Sequence, residues 1–179
     1  VIETYSLMVK DFYDTELKML YETIKLHKYS SYKDILLNIA QVLFCKIKKK
    51  PNSANEDLHV FVDLLDNLTC HEGDDIADSI GTAIYRIVSA IHSAHLAIDE
   101  EVYNKLLEMA VELYKRGNYT EPTTTSLVQA ISAIITSTGY DERMEKAKFI
   151  EQFLEQEGQF DLSYLNFASD IERAMYQLE

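Results

Sequence analysis

The chain has 179 residues, 47% of them hydrophobic, and a formal charge of −13, which is ample for one buried core and too acidic for a general nucleic-acid binder. The charge is uneven, since residues 1–50 hold nine Lys/Arg against six Asp/Glu while residues 51–179 hold eight against twenty-four. Two cysteines exclude a disulfide framework, and no apolar run nears the roughly 20 residues of a bilayer span.

With two prolines and five glycines, and apolar residues at helical spacing almost throughout, the expectation is an all-α fold of about eight helices in antiparallel hairpins. The first is expected from about Glu3 to Lys28. Val9, Phe12, Tyr13, Leu17, Leu20 and Ile24 form its inward stripe, and Met8, Met19, Tyr21 and Leu26 off that stripe predict neighbours on two sides. The second, about Ser31 to Lys49, turns Ile35, Leu36, Ile39, Val42, Leu43 and Phe44 or Cys45 inward and stops before Pro51. Ser53 and Glu56 then spell a capping box, in which a hydroxyl and a carboxylate reciprocally satisfy orphan N–H groups.

The third helix buries Leu58, Phe61, Val62, Leu65 and Leu68. A fourth runs from Asp74 to about Ser93. Asp99 caps a fifth, with Val102, Leu106, Met109, Ala110 and Leu113 inward and Arg116-Gly117-Asn118 as its stop. A sixth, Thr125 to about Thr138 with Pro122 suited to its first turn, is apolar on two sides and therefore central. A seventh (Asp141 to Glu155) and an eighth (Asp161 to Leu178) are amphipathic and would cover the end of the stack. Cys45 and Cys70 are expected as buried free thiols in a reducing, cytoplasmic setting, and no leader segment is visible.

Residues 53–139 read as two copies of one helix pair about 43 residues apart. Acidic helix starts, Leu64-Leu65 against Leu106-Leu107, and Ser89-Ala90-Ile91 against Ser132-Ala133-Ile134 match between them, and a degenerate third copy spans Asp141 to Glu179. In period and helix pairing this pattern resembles the HEAT and armadillo class of α-solenoid, without the proline kink or Asp/Arg ladder of those families. The resemblance implies stacked hairpins that bury their apolar faces against neighbours; the other arrangement the pattern allows is a compact irregular helical bundle. The chain is expected to be one domain, 1–179, divided into a basic N-terminal pair (1–50), two repeat-like pairs (53–139) and a C-terminal pair (140–179). The Val1 start suggests a piece of a longer polypeptide.

Several constellations could carry chemistry. Asp74-Asp75-xx-Asp78 has the DDxxD spacing that looks like the magnesium motif of prenyl synthases, but first-turn acids also follow from the helix dipole. His92 and His95 share a helix side, as two zinc ligands would, and no spacing supplies a third. His71-Glu72 lacks a second histidine. Glu142 with Glu145, and Glu108 with Glu112, could serve a metal-dependent helical phosphohydrolase. No phosphate loop or nucleophile motif is present. No metal, cofactor or catalytic residue is assigned.

The expectation is a non-enzymatic protein-interaction domain. Its acidic, tyrosine-bearing surface would take a basic protein or peptide, as an inhibitor or immunity-type protein or as part of a larger scaffold. Tyr85, Tyr103 and Tyr114 are its candidate aromatic contacts, with Tyr140 and Tyr176 further along the chain. Lys46, Lys48, Lys49 and Lys50 form the single basic cluster, suited to an anionic partner such as RNA, a phospholipid headgroup or an acidic peptide. The alternative is the phosphohydrolase built from the clustered carboxylates.

Overall fold

The computed structural model describes residues 2–26, 32–71 and 73–138, with side chains from Phe12 onward. Within them lie six helices and no strand: α1 (Ile2–Leu26), α2 (Tyr32–Lys49), α3 (Ala54–Thr69), α4 (Asp74–Ser93), α5 (Glu100–Arg116) and α6 (Glu121–Ser137), with a short 3-10 turn at Pro51–Ser53 before α3. The expected seventh and eighth helices and the degenerate third copy lie outside the described residues. No described helix is long and apolar enough to cross a membrane.

Helix α4 is flanked by α2 and α6. Helix α1 lies on α2, and α5 lies on both α6 and α3. The polar links between neighbours fix their directions. Near the starts of α2 and α4, Lys33 Nζ donates to Asp78 at 2.8 Å. At the starts of α4 and α6, Asp74 accepts from the Thr120 N–H at 2.6 Å and from Thr123 Oγ1 at 2.7 Å. Helices α2, α4 and α6 are therefore parallel, with their N-termini along one edge. The Asp99 N–H donates to Asn55 Oδ1 at 2.9 Å, and Arg116 Nη1 donates to the Thr69 carbonyl at 2.6 Å, so α3 and α5 are parallel as well. All these links join residues 44–49 apart in sequence.

One apolar cluster runs through all six helices. Every expected inward residue of α3 and α5 is buried, Phe61 completely, and a buried side chain of that size contributes about 2–3 kcal/mol. Gly81 lets α4 and α6 meet closely, because a Cβ built there would stand 3.0 Å from the Leu127 backbone nitrogen. Gly117 closes α5 with φ of 65°, a region that suits glycine.

Four local expectations change. Phe12 is 63% exposed, not inward, and shares its side of α1 with Met19 and Leu26. At 100° per residue Phe12 lies about 140° round the helix from buried Leu17, and α2 covers only the Leu17 side. The Ser53 capping box does not form: the hydroxyl bonds the Lys50 carbonyl and Asp57 Oδ2 instead. Helix α6 begins at Glu121, four residues early, since Asp74 on the neighbouring helix accepts the Thr120 N–H and tethers the first turn. Cys70 is exposed at the end of α3, where the helix has already left the core, and Cys45 is half-buried.

Candidate interaction surface

The basic cluster divides in three dimensions. Lys46 is 8% exposed, and its ammonium bonds Asp14 on α1 and Asp57 on α3, each at 2.6 Å. Burial opposes the charge there, but the two carboxylates outweigh it and raise the Lys46 pKa. Burial, with the nearby Asp57 charge, also holds the Tyr21 hydroxyl protonated well above its usual range. Lys46 is thus a strut joining α1, α2 and α3, not part of a surface patch. Lys48 and Lys49 are exposed, and Lys50 is half-buried.

The tyrosines separate in the same way. Tyr103 is only 7% exposed and belongs to the core, where burial raises its pKa. Tyr114 is half-buried against that core. Tyr85, 38% exposed on α4, is the one of these three that reaches solvent broadly. Tyr140 and Tyr176 lie outside the described residues.

The DDxxD carboxylates serve the packing. Asp74 accepts from the Thr123 hydroxyl and from the Thr120 N–H and hydroxyl, which together lower its pKa. Asp78 takes Lys33 on one side and Ser126 on the other, so a single side chain ties α2, α4 and α6. Asp75 is exposed. Glu112 pairs with Arg116 at 2.8 Å. His92 and His95 are exposed at the end of α4. Among the described residues no three His, Cys, Asp or Glu side chains converge as a metal would require. Glu72, Glu142 and Glu145 lie outside the described residues.

What the fold does assemble is an acidic surface on α3 and α5. The sequence of α3 contains Glu56, Asp57, Asp63 and Asp66 and no Lys or Arg. Its exposed side carries Glu56, Val60, Asp63 and Asn67 at steps of four, three and four, the helical repeat of one face. Because α3 and α5 run parallel with links 44 and 47 residues apart, Asp63 stands level with Glu108, and Asp66 with Glu112. Among the described residues Glu56, Asp63, Asp66 and Glu108 form no ion pair, whereas Glu101 and Glu112 are neutralised by Lys105 and Arg116. Val60, 53% exposed, places an apolar patch amid these carboxylates.

Val60, Asp63 and Asp66 were not among the sequence candidates. The signal for them was the outward side of the stripe whose inward side is Leu58, Phe61, Val62 and Leu65. No protein-family model, curated protein or solved structure was found to match this chain.

Proposed function

We propose that the chain is a non-enzymatic protein-interaction domain, an α-solenoid-like array of stacked hairpins whose α3/α5 surface takes a basic protein or peptide. The observation that carries this reading is the parallel register of α3 and α5, which sets Asp63 level with Glu108 on a helix that has no Lys or Arg. Unpaired carboxylates around an exposed valine steer a cationic ligand by long-range attraction and leave an apolar contact for it to cover. The recurrence of inter-helix links at 44–49 residues supports the array, since stacked hairpins repeat their neighbour contacts once per unit. In this reading Asp74 and Asp78 are structural, because their oxygens are engaged by Thr120, Thr123, Lys33 and Ser126. The setting is cytoplasmic, with Cys70 kept reduced. Masking a cationic site on another protein, and serving as one section of a larger scaffold, are its two natural forms.

The test is fluorescence anisotropy with a labelled Lys/Arg-rich peptide at low and high salt. Affinity is expected to fall steeply as salt rises, and Asp63→Lys with Asp66→Lys should weaken binding by at least about tenfold. Salt-independent binding, or an unaffected double variant, refutes the assignment.

A further inference from the structure

The layer formed by α2, α4 and α6 has a different chemistry from the α3/α5 layer. The chain holds 30 Asp and Glu, yet residues 35–49, 79–93 and 122–138 contain none. These three stretches make up most of the parallel helices α2, α4 and α6. Their carboxylates are confined to the first five residues of each helix, at Asp34, Asp74, Asp75, Asp78 and Glu121, along one edge of the layer. Burial accounts for only part of the depletion, because Gln41, Lys48, Tyr85, Arg86 and Gln129 in these stretches are all exposed. With Asp and Glu absent, the charge that these stretches present to solvent is cationic, from Lys48, Lys49 and Arg86.

We propose that this carboxylate-free face is a second docking surface, for an extended polypeptide segment that carries Asp or Glu side chains. Complementarity fixes the sign, since the exposed Lys and Arg side chains of the three stretches are Lys48, Lys49 and Arg86. The register fixes the spacing. Lys33 meets Asp78, 45 residues on, so Arg86 stands level with Gln41, and Lys48 lies two turns further along α2. Two helical turns advance about 11 Å and packed axes stand about 8–10 Å apart, which separates the two cation sites by roughly 14 Å. An extended chain covers that distance in about four residues at roughly 3.4 Å each. Three cations are few for a nucleic-acid backbone, which takes its affinity from many phosphate contacts, whereas they suffice for two carboxylates on a peptide whose amides meet serine, threonine and glutamine side chains. The repulsion of the acidic body is screened beyond about 8 Å at physiological salt.

The proposal is independent of the basic-ligand reading, and its test uses separate probes and separate variants. A labelled ten-residue peptide with two glutamates four residues apart in a Ser/Gly background, and a single-stranded RNA of similar length, are titrated by anisotropy at 0.15 M salt. The acidic peptide should bind saturably. Lys48→Glu, Lys49→Glu and Arg86→Glu combined should weaken it by about tenfold or more, and Arg86→Gln alone by a few-fold. Asp63→Lys with Asp66→Lys, which reports on the other layer, should not weaken it. Absence of saturable binding, an unchanged affinity in the triple variant with an unchanged melting temperature, or tighter binding of the RNA than of the peptide overturns the proposal.

Discussion

Replacing Gly81 by alanine tests the close approach of α4 to α6. A Cβ at this position would stand 3.0 Å from the Leu127 nitrogen, 3.0 Å from the Ser126 carbonyl carbon and 3.1 Å from its oxygen. All three are backbone atoms, so no rotamer change relieves the contact and α6 itself must retreat. Alanine gains about 1 kcal/mol over glycine inside a helix. Against it stands an overpacking cost of about 1–3 kcal/mol, to which the displaced Asp78–Ser126 and Thr82–Ser126 hydrogen bonds add about 1 kcal/mol. The expected net effect is a loss of about 1–3 kcal/mol, or roughly 2–12 °C in melting temperature for a chain of this size. Thermal and urea unfolding followed by circular dichroism measure it. Ser126→Ala should not rescue the variant, because the obstructing atoms are backbone. A Gly81→Ala protein that melts higher than the parent would show the helix propensity acting unopposed and refute the backbone contact between α4 and α6.

Removing Lys46 should cost more than any exposed lysine. Lys46→Met leaves Asp57 without its cationic partner beside the core, and the expected loss is about 2–4 kcal/mol, tempered from the usual buried-pair figure because Asp14 remains partly solvated and Ser53 still donates to Asp57; Lys46→Met with Asp57→Leu should recover part of it in urea melts. Asp74 contributes to acid stability. Its folded-state pKa lies below the ordinary value, so its contribution is complete above the unfolded-state pKa near 4 and is lost as pH falls through the lower folded-state value. The stability difference between the parent and Asp74→Asn, measured by urea unfolding from pH 6 downward, should therefore shrink toward zero in strong acid, and a difference that grows there would contradict the hydrogen-bonded carboxylate.

The inward faces of α3 and α5 were legible because a helix repeats every 3.6 residues, and Leu58, Phe61, Leu65 or Leu106, Ala110, Leu113 sit on one side whatever their neighbours do. The helix boundaries were legible where proline or glycine acts locally, as at Pro51 and Gly117. Phe12 was misplaced because periodicity ranks apolar residues by spacing alone and cannot say which of two apolar sides finds a partner. Lys46 was misread for a related reason. Its run of lysines looks uniform in one dimension, but two carboxylates brought from α1 and α3 select one of them for the interior. Tyr103 fell to the core because it follows Val102 on a helix buried by both α3 and α6.

The amino-acid order by itself determined the all-helical class and the inward stripes of α3 and α5, since each follows from local backbone preference and apolar spacing. Tertiary structure alone decided which charges are spent holding the helices together and which face outward. Asp74 and Asp78 became links, Lys46 became a strut, and Asp63 came to stand level with Glu108. Charges act through distances of a few ångströms between residues some 45 positions apart, and only the packing of one helix against the next sets those distances.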